Sequence, residues 1–124
     1  MNYKRFEELP VWQAARDLCQ EVFKILTMTN LGKDFALKDQ IWRATGSVMD
    51  NIAEGFDDGS NKEFLRFLGY AQRSCGEVQS QLYRALDCGY IDKLQFESLY
   101  NLAAKCRKQI KGFRRYLRSC EIGR

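Results

Sequence analysis

Apolar residues recur along the chain at intervals of three and four, in four separate stretches. Val11, Ala15, Leu18, Val22 and Ile25 come first. Leu37, Ile41, Ala44, Val48 and Ile52 follow. The third stripe, Phe64, Leu68, Ala71, Cys75, Val78, Leu82 and Ala85, alternates steps of four and three without a break, and the fourth is Leu99, Leu102, Cys106, Ile110, Phe113 and Leu117. Each spacing collects its apolar side chains on one face of an α-helix. Strand-like alternation is missing.

The residues between the stripes set the helix ends. Pro10 suits a first helical turn, where its missing N–H would be unpaired anyway. Thr29-Asn30-Leu31-Gly32 closes that helix, and Asp34 is the expected cap of the next. Gly55 is expected to stop the second helix, with Asp57-Asp58-Gly59 as a tight loop. Ser60 with Glu63 reads as a capping box, Gly89 as a stop, and Asp92 with Gln95 as a further cap. The spacing predicts helices over about 10–28, 35–54, 61–88 and 93–118. Short loops make sequence neighbours antiparallel neighbours. The expected fold is all-α, an antiparallel up-down-up-down four-helix bundle, with residues 1–124 as a single domain.

Composition narrows the chemistry. Apolar residues at 45% and charged residues at 29% fit a globular chain. No apolar run approaches the roughly 20 residues of a spanning helix, and the first residues lack a signal-peptide core. A cytoplasmic location and no membrane partner are expected. The five cysteines are odd in number and include no C-x-x-C pair. Cys19, Cys75 and Cys106 fall in or beside apolar stripes, as small hydrophobes do. Histidine is absent, which removes the commonest general base and the commonest metal ligand. No catalytic residue, metal or cofactor is expected.

Two polar patterns remain. Gln40, Arg43, Ser47, Asn51 and Glu54 form a line along the second helix, and Ser74 and Glu77 lie on the third, flanked by Arg73. Glu54 and Glu77 raise the idea of a paired-carboxylate metal site, but the expectation is a network that bonds between helices or across a subunit boundary. The second pattern is charge. Net charge is +4 overall, yet from Lys105 to Arg124 eight lysines and arginines meet one acid, a local +7. At 100° per residue, Arg107, Lys111, Arg114 and Arg118 form a strip, widened by Lys108 and Arg115 and preceded by Lys105. Ile110, Phe113 and Leu117 point roughly opposite, so the helix can bury one edge and display its cations. Such a strip suits salt-sensitive contacts with RNA or DNA phosphates, and Tyr116 adds a stacking ring. Docking an acidic protein partner, such as a polymerase subunit, is the alternative. Trp12, Trp42 and Tyr70 are expected to be exposed, as interface aromatics or as packing groups.

The motifs also carry a resemblance. Phe6-Glu7-Glu8-Leu9-Pro10-Val11-Trp12-Gln13-Ala14-Ala15, Gln40-Ile41-Trp42-Arg43-Ala44 and Ser47-Val48-Met49-Asp50-Asn51-Ile52-Ala53-Glu54-Gly55-Phe56 occur in order. Glu63-Phe64-Leu65-Arg66-Phe67-Leu68, Ala71, Ser74, Glu77 and Gly89-Tyr90-Ile91 continue the match. Residues 6 to about 91 thereby resemble the four-helix-bundle proteins of ribosomal RNA intervening sequences. The resemblance implies a homo-oligomer, a ring of about five subunits, with no enzymatic activity. It also implies a distant similarity to the accessory protein of diversity-generating retroelements, a bundle thought to bind nucleic acid and a reverse transcriptase. This chain departs from the family pattern in placing Trp42 where a second basic residue is usual, and Asp57-Asp58 where Gly-Arg often follows. Both changes remove positive charge from the second helix and its loop.

Overall fold

The computed structural model describes the backbone of residues 2–122 and the side chains of residues 2–120. Four helices, α1 (Pro10–Met28), α2 (Phe35–Asp58), α3 (Asn61–Asp87) and α4 (Lys93–Ile122), follow a 3-10 turn at Phe6–Glu8, and a second such turn at Asn30–Lys33 joins α1 to α2. Each helix packs on its sequence neighbours and α1 closes against α4, so the chain runs up-down-up-down around a common core. No helix among the described residues is long and apolar enough to cross a membrane.

The core has two parts. Leu18, Leu26, Leu31, Ile41, Leu82 and Leu99 belong to one, toward the α1–α2 connection. Leu9, Ile52, Leu68, Cys75, Ile110 and Leu117 belong to the other, toward Pro10. The α2 and α3 stripes are buried throughout as the spacing predicts, while the other two drift. Leu26 is buried where Ile25 was expected, and Ala103 where Leu102 was; Ile25, Leu102 and Phe113 are half-buried.

Gly55 does not stop α2. It is buried inside the helix, and a Cβ there would stand 2.7 Å from Phe67 Cβ and 3.1 Å from Phe64 Cδ1. The glycine is a contact point that lets α2 and α3 approach. The helix ends instead at Gly59, whose φ of +85° is the left-handed cap, so Asp57 and Asp58 complete the last turn. At the other end of the chain, α4 runs on to Ile122, past the expected 118. Arg124, counted in the C-terminal charge, lies outside the described residues.

The caps hold with one change. Asp92 and Gln95 satisfy one another's backbone N–H at 2.9 and 2.8 Å, a complete box. Ser60 accepts from the Glu63 N–H at 3.1 Å, but the Glu63 carboxylate turns to Arg66, which leaves that box half made. Asp34 accepts from the Leu37 N–H at 3.2 Å and from the Tyr90 hydroxyl at 2.9 Å, tying the α1–α2 connection to the α3–α4 connection. These bonds, Leu37 first and then Tyr90, hold the Asp34 carboxyl below its ordinary range. A lowered folded-state value stabilises the protein above the unfolded carboxyl value, near 3.9, and the contribution is lost as pH falls through the folded value. Asp34→Asn is therefore expected to lower the melting temperature at pH 7, with the gap to the parent narrowing progressively as pH falls below the unfolded carboxyl value. A gap that does not change with pH would show that charge is not the cause.

All five cysteines are free. Burial, with a smaller contribution from Asp50, pushes the Cys19 thiol up to about 11. Cys106, hydrogen-bonded with Cys75 in the core, is pushed higher still by that bond and by burial. The thiolate is the reactive form. A maleimide at pH 7.5 is thus expected to label exposed Cys88 in the folded protein and Cys75 and Cys106 only after unfolding, as read by peptide mass spectrometry. Rapid labelling of Cys75 in native protein would contradict this packing.

Candidate nucleic-acid interface

The predicted polar line on α2 faces two grooves. Ser74 Oγ donates to Ser47 Oγ at 3.0 Å across the α2–α3 seam, and Asn51 Nδ2 donates to the Ser47 carbonyl and hydroxyl, both at 2.8 Å. Gln40 accepts from Arg84 Nη1 at 2.7 Å, a partner the sequence did not single out. Gln40, Arg43, Ser47, Ser74, Glu77 and Arg84 line an open groove of about 580 Å³. Glu54 lines a different groove, with Trp42, Asp50 and Asn51. The structure therefore does not bring Glu54 and Glu77 together as a carboxylate pair. Among the described residues no cluster of three or more His, Cys, Asp or Glu is arranged to hold a metal.

The basic residues of α4 divide differently from the expectation of a freely displayed strip. Arg107 and Arg114 reach across to α3 and lie over glycine backbone. A Cβ at Gly76 would meet the Arg107 guanidinium at 3.2 Å, and one at Gly69 would meet that of Arg114 at 3.1 Å. Arg107 Nη1 donates to Gln79 Oε1 at 3.1 Å, and Arg114 Nη1 donates to Gln72 Oε1 at 2.8 Å. The reason is geometric: glycine leaves a shallow seat on α3, and the glutamine three residues further on offers an acceptor beside it. The same three-part rung, arginine, glycine and glutamine, occurs twice, each member displaced by seven residues. On antiparallel helices a common interval of seven keeps both rungs in register.

Around the rungs runs a groove between α3 and α4. One section, about 520 Å³, is lined by Arg66, Tyr70, Arg73, Arg107 and Arg114 with Gly69 and Gln72. The next, about 350 Å³, adds Lys108 and Lys111 beside Gln79 and Arg107. Among the described residues no carboxylate lines either section. Lys105, Arg115 and Arg118 lie outside both linings, although Arg118 is near enough to act on Arg114. The Arg114 guanidinium sits below its ordinary value through partial burial first, then through the charges of Arg118 and Arg73. Its buried Nε has no hydrogen-bond partner among the described residues. Among the described residues the ion pairs are Arg5–Glu7, Lys24–Glu21 and Arg66–Glu63, and none of these involves an α4 cation.

Aromatic rings flank the groove. Tyr70 is half-buried rather than exposed, with the Arg73 and Arg66 guanidinium groups 5.0 and 5.6 Å from its ring centre. Tyr83, half exposed, packs with Phe96 and Tyr100 at 4.7 and 5.7 Å. Tyr116 stacks on Phe113, which lines the α1–α4 side with Pro10 and Val11, so the ring expected to add a stacking surface lies outside the groove linings. Of the tryptophans, Trp12 packs into the core edge against Phe6, while Trp42 is exposed beside Phe23 on the opposite side of the bundle. Arg66, Gly69, Gln72, Gly76 and Gln79 are the residues of the groove and its rungs that sequence reading missed. The matching interval of seven in Gly69/Gly76, Gln72/Gln79 and Arg107/Arg114 was the available signal.

The family model described as 23S rRNA-intervening sequence protein matches residues 7–112. No curated protein matches the chain. Among solved structures, a protein of unknown function from the S23 ribosomal protein family of Bacteroides thetaiotaomicron superposes with a TM-score of 0.77 at 22% identity, covering 83% of this chain and 96% of that one. At that identity the likeness speaks for the fold.

Proposed function

The chain belongs to the 23S rRNA-intervening sequence protein family, and from that premise we propose that it is a non-enzymatic binding module whose α3–α4 groove contacts the backbone of nucleic acid. The observation that carries the reading is the concentration of Arg73, Arg107, Lys108, Lys111 and Arg114 along a groove that no carboxylate of the described residues lines. A phosphate chain releases its counterions as such cations replace them, which supplies affinity without base reading. Pre-seated arginines help further, because holding a guanidinium in place beforehand removes ordering entropy from the binding step. In a homo-oligomer, the second part of this proposal, the groove would repeat and weak contacts would add through avidity. Exposed Trp42 and Phe23, on the α1–α2 side away from the groove, offer an apolar surface for that assembly.

The test is a fluorescence-anisotropy titration into labelled RNA at two salt concentrations. With four to six phosphate contacts, affinity is expected to fall by roughly a hundredfold or more between 50 and 200 mM salt. Absence of binding at 50 mM would overturn the reading and leave the acidic protein partner as the ligand to seek.

A further inference from the structure

The two rungs offer more than charge. A Cβ built at Gly76 would lie 3.2 Å from Cζ, Nη1 and Nη2 of Arg107 alike. Three equal distances place the guanidinium plane face-on over that glycine, since an edge-on group would hold one atom much closer than the others. At Gly69 the distances to Nη2, Cζ and Nη1 of Arg114 are 3.1, 3.3 and 3.7 Å, the same arrangement slightly tilted. The glutamine bond in each rung prevents the plane from turning. One face of each guanidinium therefore rests on α3 and the other is directed away from it, with Arg107 exposed. The rungs are about 10.5 Å apart along the helix axis.

We propose that these clamped planes are stacking platforms for unpaired bases, so that the groove takes a single strand of nucleic acid in preference to a duplex. The inference rests on the nucleic-acid reading above and narrows its ligand. Guanidinium planes and aromatic rings both stack on bases, but only on bases that are not already stacked within a helix. Tyr83 and Tyr100 stand seven residues beyond Gly76 and Arg107 along the same α3–α4 seam, where they meet edge to face, so aromatic surface follows the two rungs in the next position.

Two variants separate stacking from charge. Arg107→Lys keeps the charge and removes the plane; Gly76→Ala keeps the arginine and fills its seat. Neither side chain is part of the core, and thermal melting serves to check that each variant is folded. Anisotropy titrations use an unstructured 12-nucleotide RNA and the same RNA annealed to its complement. The parent is expected to bind the single strand about tenfold more tightly than the duplex, and each variant to lose about tenfold on the single strand with little change on the duplex. Equal affinity of the parent for the two ligands, unchanged single-strand binding by Arg107→Lys, or equal losses on both ligands would overturn the inference while leaving backbone binding in place. If neither RNA binds, the underlying reading fails and this one with it.

Discussion

Replacing Arg107, Lys111, Arg114 and Arg118 together by glutamate is expected to weaken RNA binding by more than about a hundredfold at low salt. Each replacement exchanges attraction for repulsion, and the four take the net charge from +4 to −4. Two of them act at the rungs. A carboxylate at 107 or 114 is too short to cover its glycine, so the seats on α3 are vacated as the charge is reversed. The fold is expected to survive, because Lys111 and Arg118 are exposed and the amides of Gln72 and Gln79 can turn their NH₂ groups toward a carboxylate or to water. A matched control places the same change elsewhere: Lys4, Arg16, Lys24 and Lys33, all exposed and remote from the groove, to glutamate. If overall charge alone governs binding, the two quadruple variants fall together. If the groove governs it, the control keeps most of its affinity and the groove variant does not.

Gly55→Ala is expected to destabilise the bundle by about 1–3 kcal/mol, the usual cost of overpacking a core. The added methyl would meet Phe67 Cβ at 2.7 Å, and that atom cannot move without shifting α3. For a chain of this size the melting temperature falls by roughly 3–10 °C. The comparison that isolates the cause is Gly46→Ala in the same helix, where nothing lies within 4 Å of the new methyl. There alanine only improves helix propensity, and stability rises by about 0.5–1 kcal/mol. Two identical substitutions nine residues apart thus differ in sign. Thermal or urea unfolding checks both, and a stabilised Gly55→Ala would show that α2 and α3 are not in close contact at that point.

Gly55 also shows what sequence reading sees and where it stops. Periodicity located all four helices, because burial of an apolar stripe is a local property that repeats along each element. It could not say whether a glycine ends a helix or lets a neighbour approach, since that depends on a residue of another helix, here Phe67. The candidate site divides along the same line. The α4 cations were legible as a strip on one helix, but the groove is made by two. Arg66 and Arg73 enter it from α3, and the seats of Arg107 and Arg114 are glycines that carry no signal of their own. The α2 network was half legible: Ser47, Asn51 and Ser74 do bond, whereas Gln40 turns to Arg84 and the two glutamates part.

The location of bound RNA tests the account most directly. A single-stranded RNA carrying 4-thiouridine, crosslinked by light to the protein and mapped by peptide mass spectrometry, reports which side chains lie against its bases. Crosslinks are expected at Tyr83 and Tyr100 and in the peptides that carry Arg107 and Arg114. Crosslinks confined to the α1–α2 side, around Phe23 and Trp42, would contradict it.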